Sequence, residues 1–213
     1  MKLISVHVGL PREIVYKGAA IITGIFKTPV AGRVRARRLN LDGDRQADLT
    51  VHGGAEKAVY VYPAEHYPYW RGELPDVELP WGMFGENFTS EGLLEDEVHI
   101  GDRYRIGSGV FQVTQPRMPC YKLAAKFQRD DILKRFLKSM RTGFYFSVIE
   151  EGEIAAGDAI ELVSRDRAAI SVTDITRLYI SKGKGKDQGL LGRAAELTAL
   201  PASWRDYFRE RLE

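Results

Sequence analysis

Along the first three-quarters of the chain the apolar residues come in short β-branched and aromatic runs, separated by Gly, Pro and Asp. Runs of this length between turn-forming residues read as strands. They predict strands over residues 3–8, 21–27, 34–39, 58–62, 98–106, 110–114, 144–149 and 159–163. So many short strands predict a mainly β fold, a barrel with a few inserted helices. One pattern recurs: Gly101-Asp102 and Gly157-Asp158 each precede alternating apolar positions, which marks two equivalent strand starts.

Helical spacing interrupts this pattern at 122–127 and again where Leu133, Phe136, Leu137 and Met140 follow Asp130 or Asp131, either of which suits an N-cap. Beyond residue 164 the character changes. Helices are predicted over 174–180, 188–197 and 203–212, the last with Trp204, Tyr207, Phe208 and Leu212 on one stripe. The chain therefore divides into a β-barrel over 1–163 and a three-helix unit over 164–213. Three short helices have a thin core, so the unit is expected to dock on the barrel or on another chain, as in a homodimer.

Composition narrows the partners. Thirty-one Lys plus Arg against 29 Asp plus Glu leave a net charge of +2, far from the one-signed field of a protein that binds a nucleic-acid polymer. The start, MKLISVHVGL, is broken by Ser5, His7 and Gly9 and does not read as a signal peptide. No run reaches the roughly 18 apolar residues of a membrane span, and a cytoplasmic protein is expected. There is one cysteine, Cys120, so intramolecular disulfides, thiolate zinc clusters and CxxC pairs are excluded.

Cys120 follows Pro119, which stiffens the segment, and lies between Arg117 and Lys122 at the start of a predicted helix. Positive charge and the helix dipole both favour thiolate there, although a lone cysteine also serves as a small buried hydrophobe. A second cluster runs from Asp44 to Lys57. His52 precedes Gly53-Gly54, and Arg45 and Lys57 flank them, so exposed amides and cations could receive a phosphate or another oxyanion, unless the glycines merely form a hairpin turn. Lys27-Thr28-Pro29 ends a predicted strand, and Arg33, Arg35 and Arg37 beyond it share one face, as an anion-lined wall or a solvated one. The glycine-broken loop from Trp81 to Thr89 presents Asn87 and Thr89. The aromatic run Tyr60, Tyr62, Tyr67, Tyr69 and Trp70 reads as packing ahead of base stacking.

Three motifs in order, G-D-R-Q-A-D-L-x-V-H-G-G-x-x-K-A-V-Y from Gly43, F-G-E-N-F-T from Phe84 and R-M-P-C from Arg117, resemble the MOSC family, named for the C-terminal domain of molybdenum-cofactor sulfurase. The helical remainder is similar to the three-helix domain of the YiiM-like branch. The resemblance implies a β-barrel that binds the molybdenum cofactor (molybdopterin), with Cys120 as catalytic cysteine and metal ligand. It would place phosphate and pterin among Lys27, Thr28, Arg33, Arg45, His52, Gly53, Gly54 and Lys57, with Arg117, Asn87 and Thr89 at the rim of the metal. The branch is associated with resistance to N-hydroxylated bases, so the implied activity is an oxidoreductase that reduces N–OH groups and draws electrons from a separate reductase, a flavoprotein. A competing reading keeps Cys120 as a carrier of sulfur or of the cofactor, without turnover.

Overall fold

The computed structural model describes residues 1–48, 53–181 and 187–212. Strand β1 (Lys2–Val8) is followed by a separate hairpin, β2 (Arg12–Tyr16) and β3 (Ala19–Thr23), then by the short β4 (Thr28–Pro29) and β5 (Val34–Ala36). A 3-10 turn (Ala55–Lys57) leads into β6 (Val59–Pro63), α1 (His66–Glu73) and β7 (Phe88–Glu91). Next come β8 (Arg103–Ile106), β9 (Gly109–Pro116), α2 (Tyr121–Phe127), α3 (Ile132–Ser139), β10 (Phe144–Glu150), β11 (Gly152–Ile154) and β12 (Ile160–Ser164). Helices α4 (Val172–Ile180), α5 (Gln188–Glu196) and α6 (Ala202–Arg209) close the chain.

Eight strands form one sheet in the order β12-β8-β9-β10-β6-β7-β1-β4. Its neighbours are antiparallel except β6 and β7, which run parallel because α1 carries the chain back across. The sheet curls until the start of β12 meets β1. Leu3 N donates to Asp158 O at 3.0 Å, Ile160 N to Met1 O at 3.0 Å, and Lys2 bridges Ala159. The expected barrel is thus joined by a single bridge and not by a continuous ladder, since β12 beyond its first residues pairs only with β8. The two Gly-Asp turns start β8 and β12, which pair with each other.

Local chemistry explains where elements depart from expectation. The run 98–106 becomes a strand only at Arg103, because the Asp102 carboxylate accepts His99 N at 3.1 Å and Asp166 N at 2.9 Å and turns the chain first. The strand expected over 21–27 stops at Thr23, where Gly24 passes so close to Arg45 that a Cβ would sit 2.6 Å from the Arg45 carbonyl oxygen. The hairpin was not anticipated; its two-residue turn, Lys17-Gly18, takes φ of 52° and 79°, the primed geometry that suits twisted strands. Helix α1 was also missed, yet Pro68 lies in its first turn, where a missing N–H leaves no bond unmade. Asp131 does precede α3, but its carboxylate accepts from Arg129 and Arg135 and not from a helix amide.

Two apolar clusters hold these parts. The larger fills the curled sheet with Phe88, Phe111, Phe144 and Phe146, and continues into Val172, Ile175, Leu191, Ala194 and Phe208. The C-terminal helices therefore dock on the sheet. A Ser171–Asp174 capping box, with bonds of 3.0 and 3.1 Å, starts α4. The second cluster packs the aromatic run against α2 and α3: Tyr62 stacks on Phe84 at 4.4 Å, and Trp70 Nε1 donates to the Tyr62 hydroxyl at 2.6 Å. Phe84 is fully buried among Tyr62, Tyr67, Trp70, Phe127 and Phe136. Phe84→Ala should lower the free energy of unfolding by about 3–5 kcal/mol, measured by urea denaturation.

Candidate functional site

Three chain segments converge on one cleft: residues 23–27 after the hairpin, residues 44–47 with Lys57, and residues 117–122 between β9 and α2. Its empty volume, open mouth included, is about 650 Å³. What fixes the segments is Asp44. Its buried carboxylate accepts from Lys27 Nζ, from Gly9 N at 2.9 Å and from Asn87 Nδ2 at 2.9 Å. Asn87 in turn donates to His7 O at 3.1 Å and accepts from Tyr60 N at 3.1 Å. Both groups are buried, so their bonds are stronger than in water and costly to break.

The glycine-broken loop is organised the same way by Glu86, which has no exposed surface. Its carboxylate accepts from Tyr67 Oη, from Gly82 N at 2.8 Å, from Phe84 N at 3.0 Å and from Thr89 Oγ1 at 3.1 Å. Across the loop, Lys126 Nζ donates to Gly82 O at 2.6 Å and Ile25 O at 3.1 Å. Burial brings the pKa of Lys126 down from 10.5 to about 8, with nearby Glu86 opposing the fall.

The other wall carries the cysteine. Cys120 is half-buried at the N-cap of α2, with φ −124° and ψ 169°. Arg117 is buried beneath it, with its guanidinium carbon 5.1 Å from the ring centres of both Tyr60 and Phe136. Burial alone would lower the pKa of Arg117, but Tyr60, Tyr145 and Cys120 around it raise it above the ordinary value and keep it charged. Its Nη1 has no acceptor among the described residues. Lys122, in the first turn of α2, and Arg45 also line the cleft. Lys57 faces it from the 3-10 turn, which Thr114 Oγ1 fastens to β9 through Glu56 O at 2.6 Å. Burial lowers the Lys57 pKa, and Glu56 works against it.

The structure thus gathers Cys120, Arg117, Asn87, Lys27, Arg45 and Lys57 from distant parts of the sequence. Lys27 is paired with Asp44, and Asn87 is a cross-brace with both ends of its amide bonded. Thr89 lies beneath the loop on Glu86, and Thr28 is exposed on β4, outside the cleft lining. Arg33 also lies outside it and pairs with Asp158 at 3.2 Å. Gly53 and Gly54 lead into the Lys57 turn, which Lys57 N closes on Gly54 O at 3.0 Å. His52 lies outside the described residues. Tyr60, Met118 and Tyr145 complete the wall unforeseen, although Tyr60 ends the first of the three motifs and Met118 stands in the third.

A second cavity meets the first at Lys57, Met118, Cys120 and Tyr145. Its far side comes from the C-terminal helices, with Tyr179, Ser203, Trp204 and Tyr207.

Comparison with known proteins agrees with this architecture. Residues 48–161 match the family model described as MOSC domain, and residues 170–213 match the YiiM-like, 3-alpha helix domain. The chain is 43% identical over 209 residues to the uncharacterized protein YflK of Bacillus subtilis, covering 98% of this chain and 93% of that one. It is 34% identical over 200 residues to a protein of Gibberella moniliformis named a reductase, covering 92% of this chain and 35% of that longer protein. Among solved structures, YiiM from Geobacillus stearothermophilus superimposes with a TM-score of 0.83 at 35% identity, covering 100% of this chain and 99% of that one. No helix among the described residues is long and apolar enough to cross a membrane.

Two outcomes follow from the charges. Asp44→Ala would leave Lys27 buried without its partner, and should destabilise the fold by about 3–5 kcal/mol in urea denaturation. Between about pH 8 and 10.5 the unfolded chain holds a proton that folded Lys126 has released, so this lysine makes the fold more stable as pH rises through that window. The stability difference between the natural chain and Lys126→Met should therefore grow, by at most about 3 kcal/mol, across that window. A series of urea melts at stepped pH measures it.

Proposed function

The chain belongs to the MOSC family, in its YiiM-like branch, and from that premise we propose that it is a molybdenum-cofactor-dependent reductase of N-hydroxylated compounds, such as N-hydroxylated purine bases. One observation carries the reading. A buried, charged arginine with an N–H that lacks an acceptor among the described residues lines the same cleft as the only cysteine. Such a donor left unmatched costs about 1–3 kcal/mol, and an anionic ligand would match it.

The donor set suits the cofactor. Arg45, Lys57 and Lys122 would hold its phosphate and pterin, and the Cys120 thiolate would offer molybdenum a soft ligand. Among the described residues no group of three His, Cys, Asp or Glu side chains is placed to hold a metal ion, which suits a metal that brings most of its ligands on an organic cofactor. When bound, the cofactor supplies the centre that takes up oxygen and passes two electrons per turnover.

The chain's own residues bind and orient. Cys120 would be held by the backbone at the head of α2, where Leu123 N bonds its carbonyl at 2.9 Å. Arg117, fixed between two rings, would keep positive charge next to the thiolate without moving. Met118 and Tyr145 would shield the thiol from bulk water. In the overall reaction R–NH–OH takes up two electrons and two protons and leaves as R–NH2 and water. No flavin, haem or iron–sulfur motif stands in the sequence, so the electrons are assigned to a separate reductase, a flavoprotein.

The test is a reduction assay. Protein made in a cofactor-competent host should reduce an N-hydroxylated purine with a chemical electron donor, and Cys120→Ala should lower kcat at least about a thousandfold, as the loss of a group bonded to the reacting centre does. Molybdopterin bound without turnover would replace the reductase with a carrier.

A further inference from the structure

The two cavities that meet at Cys120 differ in chemistry. The first presents Arg45, Arg117 and Lys122; the second presents three aromatic rings from the helical region and shares Lys57 with the first. The rings form a fixed surface. Trp204 Nε1 donates to Gln115 Oε1 at 2.7 Å, and the other end of that amide reaches Glu56 O at 3.4 Å, so the indole is tied to the turn that carries Lys57. Tyr179 packs 5.1 Å from both Trp204 and Tyr207, and the Tyr207 hydroxyl bonds Tyr179 O at 3.3 Å. Arg211 covers the Tyr207 ring at 3.4 Å and donates to Tyr207 O at 2.7 Å. Both Trp204 and Tyr207 are nevertheless only half-buried, and they line a cavity whose empty volume, open mouth included, is about 900 Å³.

We infer that this second cavity is the substrate's seat: the flat aromatic ring of an N-hydroxylated base lies against Trp204 and Tyr207, with its N–O group directed at Cys120. The inference rests on the proposed reductase function and adds to it the part of the chain that selects the substrate. The anionic cofactor and the neutral ring are then sorted by chemistry, one to the cationic cavity and one to the aromatic cavity, with the thiol at their junction. It also gives the docked helices a task. Trp204 and Tyr207 come from α6 and Tyr179 from α4, so the sheet alone would hold the cofactor without a base-binding wall. Trp204 and Tyr207 are substrate-binding residues here.

The experiment compares two substrates and one unreactive ligand on the full chain. With cofactor-loaded protein, Trp204→Leu and Tyr207→Leu should each raise KM for an N-hydroxylated purine about tenfold, the loss expected on removing a base–ring stack. Their kcat should stay within about twofold, and KM for N-methylhydroxylamine, which has no ring, should not change. Trp204→Phe should behave like the natural chain. Equal changes for both substrates, or none for the purine, would overturn the seat. Independently of turnover, calorimetry with adenine should show binding to Cys120→Ser protein that weakens about tenfold when Trp204→Leu is added. Adenine binding that depends on Trp204 in a protein without reductase activity would leave the seat standing and remove the reaction. Reduction that is intact but indifferent to Trp204 and Tyr207, with no adenine binding, would do the reverse. If Trp204→Leu lowers the melting temperature, Tyr207→Leu decides the question.

Discussion

The cleft exists because one buried carboxylate cannot be left alone. Asp44 gathers Lys27, Asn87 and the Gly9 amide, and through Asn87 it reaches β1 and β6. Each of these bonds joins segments remote in sequence, so the loop after Asp44 is held against the end of the hairpin, and Arg45 is delivered to the cleft. A buried ion pair of this kind contributes little net stability in comparison with a hydrophobic substitute, but breaking it is expensive. Its value lies in specifying one arrangement of the walls.

This pair also sorts the basic residues. With nearly equal numbers of acids and bases, several cations meet a carboxylate: Lys27 meets Asp44, Arg33 meets Asp158, and Arg37 meets Asp42. Arg117 is different, since rings and not carboxylates surround it and one of its N–H groups points at no acceptor among the described residues. A near-neutral chain can in this way hold a strongly positive cleft, which is the field an anionic cofactor requires.

Much of this was legible in the sequence, for physical reasons. Short β-branched and aromatic runs between turn residues marked β1, β6, β9 and β10, whose side chains are buried on one face in β10 and on both in β6 and β9. The link between Cys120, Arg117 and the Asp44–Lys57 segment came from motif order, and the fold brings them to one cleft. What the sequence concealed were long-range pairings. Charge alone cannot reveal that Lys27 is neutralised by Asp44, nor that Arg33 belongs to the β5–β11 side. Helix α1 was hidden because its aromatics and Pro68 mimic a strand bounded by turns. The stripe of α6 was visible, yet only Phe208 is fully buried, while Trp204 and Tyr207 turn partly toward the cavity at Cys120.

The proposed function requires Cys120 to bond the metal of a molybdenum cofactor held in the Arg117 cleft. X-ray absorption at the molybdenum edge, on protein loaded with cofactor, tests it most directly. The natural chain should show a sulfur neighbour that is lost in Cys120→Ser while the pterin content stays the same. Identical spectra for the two proteins, or a natural chain that takes up no molybdopterin, would contradict it.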